Sequence, residues 1–463
     1  MEEFDVAIIG SGSAGYVAAI RAADLGKKVV VIEHRELGGT CLNRGCIPTK
    51  ALLKSAEVYS LVKGTSVFGI SAEDVTYDLN AIQLRKKSVV KRLVSGVEFL
   101  LKSRKVTIKK GKGKIIDEQV VEITSGGTKE RVKAKAIVVA TGSEPAQIPA
   151  FKIDRKNVLT SDEGLEFTEL PGNILIVGAG AIGIEFATFL STFGTKVTMV
   201  EMMPQVVPTM RDKKLARIVE RILTKKGIRV RTGTKIENIE IKEEGKVFST
   251  LSNGETIQSE KVLVSIGRKL NSENLGLEEL GVKVEKGRIL VDERLETNVP
   301  NVYAIGDVIG GMLLAHKAQR EGVVVAEIIA GMDVRMDYRV VPWAIFSSPE
   351  IASVGMTEEE AKESGIDVIM GEFPFTASGK AVAMNEMDGE VKVVAKKDTK
   401  EIIGAQIVGP EASVMIAELA LAVEKNLTLG DIANTIHTHP TLPEASMEAC
   451  KDGLGEVIHM VKK

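Results

Sequence analysis

The 463-residue sequence has few cysteines and few aromatic residues, and each shortage excludes a class of protein. Three cysteines cannot form a secreted disulfide framework in a chain this long, so the close pair Cys41 and Cys46 is more readily catalytic than structural. One tryptophan and five tyrosines do not suggest an aromatic surface for stacking single-stranded nucleic acid. A formal net charge of −2 gives no electrostatic attraction for nucleic acid or for an anionic membrane.

Long apolar runs are missing as well. No run reaches the roughly 20 residues that cross a bilayer, and the first residues carry neither a basic leader nor an Arg-rich transit peptide. We therefore expect a cytoplasmic protein without membrane contact. We expect no metal site either, because the five histidines supply no second ligand pair near Cys41. The chain length suggests about three domains.

What the sequence does contain is the same strand–turn–helix–strand pattern twice. The first copy begins with a predicted buried strand at 5–10 and ends at Glu33, and the second begins with a predicted strand at 174–178 and ends at Glu201. In both copies 23 residues separate the first glycine from the terminal glutamate. The glycine motifs consist of Gly10, Gly12 and Gly15, and of Gly178, Gly180 and Gly183. Glycines in this full context predict two dinucleotide-binding units.

The residue types in the two units suit a dinucleotide. The first glycine allows a tight turn, the second lets the backbone approach a pyrophosphate, and the third lets helix and strand pack closely. The anion then binds at the helix N-terminus. Glu33 and Glu201 are expected to accept hydrogen bonds from ribose hydroxyls. Glu201 would repel a 2′-phosphate, and no cation follows it until Arg211, so the second unit favours NAD over NADP.

Further strands have the same design. Residues 136–143 and 261–268 each form an apolar strand that ends in a glycine turn, and 302–307 ends in Gly306 and Asp307 ahead of a helical pattern, 315–330. Asp307 could bind sugar-alcohol hydroxyls beside a phosphate.

From about residue 340 the pattern changes. Residues 390–395 and 402–408 are predicted as antiparallel strands, with helices over 411–425 and 443–461. The predicted fold class is α/β, with two Rossmann-like dinucleotide-binding domains and a C-terminal α+β domain.

Taken together, these features resemble the flavoprotein disulfide reductases over the whole chain, and within that family most closely the dihydrolipoamide dehydrogenases. The resemblance rests on an ordered set of motifs: Gly10–Gly15 with Glu33; Cys41, Cys46, Pro48 and Lys50; Ala140, Thr141 and Gly142; Gly178–Gly183 with Glu185 and Glu201; Gly306 and Asp307; and His437, Thr438, His439, Pro440 and Thr441 with Glu444.

The resemblance implies FAD in the first unit, NAD in the second, and a homodimer. It implies an FAD domain at 1–148 continued at 270–338, an NAD domain at 149–269 and a dimerisation domain at 339–463. The cofactor-binding residues it implies are Gly10, Gly12, Gly15, Glu33, Gly39, Thr40, Lys50, Ala140, Thr141, Gly142, Gly178, Gly180, Gly183, Glu185, Glu201, Gly267, Gly306, Asp307 and Ala315.

The same resemblance implies the catalytic roles. Cys41 exchanges with the substrate disulfide or dithiol, Cys46 lies against the flavin, and His439 with Glu444 moves the proton. The implied substrate is dihydrolipoamide, free or on a lipoyl-bearing protein of a 2-oxo acid dehydrogenase or glycine-cleavage system. A different class of function, a flavoprotein whose main role is as a structural subunit of such an assembly, can coexist with the enzyme activity.

Other members of the family fit less well. The sequence lacks the C-terminal cysteine pair of mercuric-ion reductases and the C-terminal redox motif of large thioredoxin reductases, and Glu201 opposes the NADPH preference usual in glutathione reductases. Arg44, where the family often has an apolar residue, could favour a thiolate nearby. The resemblance also implies an ion pair of Lys50 with Glu185 by the reactive edge of the flavin, although Lys50 could instead be an ordinary surface lysine. His437, His316 and Cys450 are expected to be structural.

Overall fold

The computed structural model describes residues 1–148, 151–242 and 245–462. They form two compact units, which we call unit 1 (residues 1–52, 78–147 and 267–337) and unit 2 (residues 53–77, 148–266 and 338–463). The predicted domain boundary between residues 148 and 149 falls at a gap, because residues 149 and 150 lie outside the described part.

The helices, in chain order, are α1 (Ser13–Asp24), α2 (Gly39–Arg44), α3 (Cys46–Lys63), α4 (Leu79–Ser103), α5 (Ser161–Gly164), α6 (Ala181–Thr192), α7 (Lys213–Lys225), α8 (Ala315–Ile329), α9 (Glu358–Glu363), α10 (Gly379–Met384), α11 (Ala412–Glu424), α12 (Leu429–Asn434) and α13 (Glu444–Leu454).

The strands are β1 (Glu2–Ile9), β2 (Val29–Glu33), β3 (Thr107–Lys110), β4 (Lys112–Asp117), β5 (Val120–Ser125), β6 (Thr128–Val139), β7 (Ser143–Pro145), β8 (Val158–Leu159), β9 (Asn173–Val177), β10 (Lys196–Val200), β11 (Arg229–Arg231), β12 (Ile236–Ile241), β13 (Val247–Leu251), β14 (Thr256–Ser259), β15 (Lys261–Val264), β16 (Arg268–Leu270), β17 (Val284–Glu285), β18 (Arg288–Ile289), β19 (Val302–Ala304), β20 (Trp343–Ile345), β21 (Glu350–Gly355), β22 (Val368–Pro374), β23 (Glu390–Lys396) and β24 (Ile402–Gly409).

Unit 1 is built on a mixed sheet in the order β3-β2-β1-β6-β5-β4, with β19 also paired to β6. β1 lies parallel to both β2 and β6, with Val6 opposite Val29 and Ala136. The apolar stretch of β2 is buried throughout, as expected for a parallel strand covered on both faces. Helices α1 and α8 pack against each other beside this sheet. The parallel strands β1, β2 and β6 therefore end on one edge of unit 1, where the first glycine motif lies.

Unit 2 contains a second parallel sheet, β11-β10-β9-β15-β8, and the small antiparallel sheet β12-β13-β14. Its third sheet, β20-β21-β24-β23-β22, is antiparallel. Helices α11 and α13 pack on this third sheet and share with it a core of buried apolar residues. The predicted strands 390–395 and 402–408 are confirmed as the antiparallel neighbours β23 and β24.

One predicted helix was too long. The sequence indicated a helix over 443–461, but α13 ends at Leu454. Gly455 follows with φ +74°, a left-handed conformation that glycine adopts without strain and that commonly ends helices. Among the described residues, no helix is long and apolar enough to cross a membrane.

Candidate active site

The two glycine motifs fold in the same way. A Cβ on Gly15 would lie 2.0 Å from the Gly10 carbonyl oxygen, and a Cβ on Gly183 would lie 2.0 Å from that of Gly178. Only glycine therefore allows the helix to approach the strand so closely. At the middle glycines, Gly12 and Gly180, a Cβ would meet nothing within 4 Å, so the N-termini of α1 and α6 each face open space. This space suits a pyrophosphate at a helix N-terminus.

Both copies of the glycine motif also position the carboxylate that ends the following strand, Glu33 at the end of β2 and Glu201 directly after β10, in a similar way. Glu33 accepts hydrogen bonds from the backbone N–H groups of Ser11 (2.9 Å) and Arg35 (2.8 Å). Glu201 accepts the equivalent bonds from Ala179 and Met203, both at 2.8 Å. Glu33 also accepts from the Ser11 hydroxyl at 2.7 Å. A carboxylate has about four lone-pair sites, so at least one site on each side chain is left for a ribose hydroxyl.

Residues 140–142 close one side of the first glycine turn. A Cβ on Gly10 would lie 2.4 Å from the Ala140 carbonyl oxygen, so the two backbones are in direct contact. The Thr141 hydroxyl donates to the Asn271 carbonyl (2.6 Å), and the Asn271 amide donates to the Thr141 carbonyl (3.1 Å). This reciprocal pair brings the predicted residues Ala140, Thr141 and Gly142 to the edge that carries Gly10.

Two residues near Asp307 were missed by the sequence analysis. The Ser143 hydroxyl donates to the Asp307 carboxylate at 2.5 Å, and Arg268 Nε donates to the Ser143 hydroxyl at 2.6 Å. Arg268 Nε also lies 3.9 Å from the Asp307 carboxylate. The antiparallel pair β7 and β16 brings Ser143 and Arg268 together. The carboxylate of Asp307 is thus oriented by side chains far from it in sequence.

The remaining predicted cofactor residues mark turns and helix ends. Gly267 and Gly306 have φ of +127° and +78°, and Ala315 begins α8, whose N-cap residue has no side-chain capping bond. Glu185 is buried on α6 and accepts a hydrogen bond from the Phe346 N–H at 3.1 Å. The expected pairing of Glu185 with Lys50 stays a prediction.

The cysteine segment lies against the first glycine motif. Gly39, with φ +59°, is so close that a Cβ there would lie 2.6 Å from the Gly12 Cα. Thr40 and Cys41 follow in α2, Gly45 ends that helix, and Cys46 is the first residue of α3. The N-terminus of an 18-residue helix favours a negative charge at this position. The two thiols are consequently held beside the turn that would bind the pyrophosphate.

Both cysteines are half-buried and are present as thiols, not as a disulfide. A hydrogen bond with Cys46, burial and the charge at Cys46 raise the pKa of the Cys41 thiol far above its usual range, while the Ser13 hydroxyl and Lys50 act in the opposite direction. Cys41 is therefore protonated at neutral pH in this dithiol state, and a base is needed to take its proton. Arg44 forms an ion pair with Glu36 at 2.6 Å. The carboxylate of Glu36 therefore offsets the positive charge that was expected to favour a nearby thiolate.

A histidine–carboxylate pair is present in unit 2. His439 Nδ1 lies 2.8 Å from Glu444 Oε1, and the Thr441 N–H donates to Glu444 Oε2 at 2.7 Å. Partial burial alone would raise the pKa of Glu444, but the hydrogen bonds from Thr441 and His439 outweigh it and lower the pKa. Since the His439 side chain is 79% exposed, its ring can reach a proton donor supplied by another molecule.

His437 and Cys450, which are expected to be structural, have buried side chains, unlike His439. The His437 side chain is 7% exposed, with one ring nitrogen 2.9 Å from Glu418 and the other 2.9 Å from the Thr435 carbonyl. Cys450 is fully buried in the core of the third sheet, and burial followed by the charge of Glu418 raises the pKa of its thiol. In the described part of the chain, no group of three or more His, Cys, Asp or Glu side chains could hold a metal ion.

Comparison with known proteins identifies the family. A family model described as pyridine nucleotide-disulphide oxidoreductase matches residues 4–322, and the model of that family's dimerisation domain matches residues 341–450. The chain is 46% identical over 464 residues to a dihydrolipoyl dehydrogenase of Geobacillus stearothermophilus, covering 100% of this chain and 98% of the relative. It is 44% identical over 471 residues to a dihydrolipoyl dehydrogenase of Bacillus subtilis, covering 99% of each.

Solved structures agree with the fold. LpdA from Mycobacterium tuberculosis has a TM-score of 0.91 at 26% identity, over 97% of this chain and 99% of that one. The HOCl-induced flavoprotein disulfide reductase RclA from Escherichia coli, in its Cu(II) complex, has a TM-score of 0.89 at 28% identity over the same shares. The predicted fold class is confirmed. The chain therefore belongs to the pyridine nucleotide-disulphide oxidoreductases and, within them, to the dihydrolipoyl dehydrogenases, FAD-dependent enzymes that oxidise dihydrolipoamide with NAD⁺.

Proposed function

We propose that Cys41 and Cys46 carry this reaction by cycling between a disulfide and the dithiol seen in the structure. A thiolate of dihydrolipoamide attacks Cys41 Sγ, the Cys41–Cys46 bond breaks, and Cys46 leaves as a thiolate. The second lipoyl thiol then loses its proton and attacks the lipoyl sulfur bound to Cys41. Cys41 is released, the lipoyl disulfide closes, and two electrons remain on the cysteine pair. The observation that carries this proposal is the hydrogen-bonded thiol pair held against Gly12 through Gly39.

His439 is the proposed base for this exchange. Thiolates, not thiols, are the nucleophiles, and an ordinary thiol is only a few per cent ionised at neutral pH. Glu444 accepts from one ring nitrogen, which orients the imidazole and leaves the other nitrogen to take the lipoyl proton. The lowered pKa of Glu444 keeps this carboxylate charged at neutral pH, so it also stabilises the imidazolium that forms.

The described residues fit both cofactors. Bound FAD would supply the acceptor for the two electrons of the dithiol and the donor of hydride to NAD⁺. We propose that FAD is held in the first unit by Gly10, Gly12, Gly15, Glu33, Gly39, Thr40, Lys50, Ala140, Thr141, Gly142, Gly306, Asp307 and Ala315. We propose that the second glycine-motif copy binds NAD with Gly178, Gly180, Gly183 and Glu201, together with Gly267, and that Glu185 lies by the reactive edge of the flavin, as the resemblance implies. The open space at Gly12 and Gly180 and the two oriented carboxylates support both assignments.

The assembly is proposed as a homodimer, which the family's dimerisation domain at 341–450 supports. The proposed domains are the FAD domain at 1–148 and 270–338, the NAD domain at 149–269 and the dimerisation domain at 339–463. His439, in the last of these, would serve the cysteines of the other subunit. The proposed partner is a lipoyl-bearing protein, and the proposed location is the cytoplasm, which the small number of cysteines supports.

A substrate panel tests the proposed function. Dihydrolipoamide with NAD⁺ is expected to give a kcat/KM at least about a hundredfold above every other pairing, since a matched site gains several kcal/mol over a poor one. The other pairings are NADH or NADPH with glutathione disulfide, a thioredoxin disulfide, coenzyme A disulfide, Hg²⁺ or Cu²⁺. A higher kcat/KM for any of these would overturn the proposed substrate while leaving the family unchanged.

The coenzyme preference should depend on Glu201. The unmodified protein is expected to prefer NADH over NADPH, because the carboxylate accepts from a ribose hydroxyl and repels a phosphate. Glu201→Ala should reduce the ratio of the two kcat/KM values by about 5–150-fold, corresponding to roughly 1–3 kcal/mol for one charged hydrogen bond. Glu237→Ala, at an exposed glutamate elsewhere in unit 2, is the control and should leave the ratio unchanged. Equal use of both coenzymes by the unmodified protein would contradict the assignment.

A further inference from the structure

A charged pair is buried on α8, in the interior of unit 1. Lys317 Nζ lies 2.9 Å from Glu321 Oε1, and the two side chains are 3% and 0% exposed. Pairs four residues apart on a helix usually lie at the surface, where they contribute little to stability. Burying both charges costs desolvation energy unless further hydrogen bonds satisfy them. The contacts of this buried pair, Lys317–Glu321, therefore indicate what it does.

The buried pair contacts both ends of one tight turn. Glu321 Oε2 accepts a hydrogen bond from the Gly306 N–H at 2.7 Å. Lys317 Nζ donates to the Gly310 carbonyl at 3.3 Å. Between these contacts lies the 3₁₀ turn Gly306–Ile309, which follows β19. The acid thus fixes the first N–H of the turn, and the base fixes the carbonyl at its end.

Asp307 is the second residue of this turn, and its side chain is held by residues outside α8. The hydroxyl of Ser143 donates to its carboxylate, and Arg268 approaches that carboxylate to 3.9 Å. The backbone of the turn is therefore fixed from α8, while the carboxylate is oriented from β7 and β16.

We propose that Lys317 and Glu321 are positioning residues that fold the Gly306–Gly310 turn before FAD binds, so that Asp307 meets the cofactor already oriented. This inference rests on the proposed FAD site. Preorganisation of this kind strengthens binding because less conformational entropy is lost when the ligand arrives. The group that matters most is the Glu321 oxygen that accepts the Gly306 N–H.

Two double variants of the holoenzyme isolate that oxygen. Lys317→Met/Glu321→Gln removes both charges but keeps an amide oxygen able to accept the Gly306 N–H. Lys317→Met/Glu321→Met removes the same charges with a side chain of similar length and no oxygen. Release of FAD after dilution is followed by flavin fluorescence, in buffer without substrate, at a temperature where circular dichroism shows each variant fully folded. Because no turnover is measured, a wrong substrate assignment leaves this result unaffected.

Lys317→Met/Glu321→Met is expected to release FAD at least about tenfold faster than the unmodified protein, since the Gly306 N–H loses its acceptor. The release rate of Lys317→Met/Glu321→Gln should stay within about threefold of the unmodified protein, because its hydrogen bond to Gly306 is retained. Equal release rates for the two variants, whether both fast or both slow, would overturn the proposal, since a merely structural role of the charges does not distinguish an amide from a thioether.

Hydrogen exchange on the unmodified full-length chain tests the same inference without a variant. If the buried pair folds the turn, the Gly306 amide should exchange within about threefold of the same rate with FAD bound and with FAD removed. Exchange that accelerates more than about tenfold on removal of FAD would show that the cofactor orders the turn, and the proposal would be wrong.

Discussion

Cys41→Ser is expected to lower the rate of dihydrolipoamide oxidation by a factor on the order of 10³ or more, because a serine hydroxyl cannot form the mixed disulfide on which the exchange depends. The hydrogen bond with Cys46 and burial raise the pKa of the Cys41 thiol in the dithiol state. Steady-state NADH formation at saturating dihydrolipoamide measures the loss.

Cys450→Ala is the matched control for that substitution. Cys450 is fully buried in the core of the antiparallel sheet of unit 2 and is assigned no role in the reaction. Its removal should leave kcat within about twofold, with any cost appearing in the free energy of unfolding instead. If Cys41→Ser retained normal kcat while Cys450→Ala lost it, the assignment of the redox cysteines would be wrong.

His439→Gln is expected to lower kcat by about 10²–10⁴-fold, the range typical of a lost general base. Glutamine can accept a hydrogen bond but cannot take a proton at neutral pH, so the lipoyl thiol must ionise without help. The measurement is the pH dependence of kcat, in which the substituted enzyme should recover activity as rising pH supplies thiolate from the substrate itself. A flat profile with no recovery would contradict a base role.

The control for this prediction is His459→Gln. His459 is also exposed and also lies near a glutamate, with Nδ1 at 3.2 Å from Glu448 Oε1, so it matches His439 in kind. Its substitution should change kcat by less than about twofold, as for other surface positions. Equal losses for the two histidines would point to a general effect on the domain and not to catalysis by His439.

Acid should weaken the histidine pair through Glu444. The folded-state pKa of Glu444 is lowered, so this group stabilises the folded chain above its unfolded pKa of about 4.3. That contribution is lost as the pH falls through the lower, folded-state pKa. Glu444 therefore stays charged throughout the neutral range, and loss of activity near neutrality must come from other groups.

Much of the site could be predicted from sequence because its signals are local. The glycine spacing and the terminal glutamates lie within 23 residues of each other in both copies, and each local motif forms the expected turn. The same holds for His439 and Glu444, which are five residues apart and hydrogen-bonded. Physical constraints that act over a single turn or βαβ unit can be recognised without knowing the fold.

Long-range contacts left no such signal. Ser143 and Arg268 are 125 residues apart, and only the pairing of β7 with β16 brings them to Asp307. Lys317 and Glu321 have the spacing of an ordinary surface pair, and nothing in that spacing reveals that both are buried. The predicted C-terminal helix was too long for a different reason, because the signal that ends it is local. Gly455 follows the last helical residue, and a glycine at this position commonly ends a helix.

A mixed dimer tests whether one active site combines the cysteine pair of one subunit with His439 of the other. A Cys41→Ser chain is paired with a His439→Gln chain, each nearly inactive as a homodimer, and the heterodimer is purified by two different affinity tags. If the site is shared, one of the two sites carries both defects and the other carries none, so about half of the normal activity should return. If His439 serves its own chain, every site carries a defect, and a verified heterodimer with no recovered activity would show that the two subunits do not share an active site.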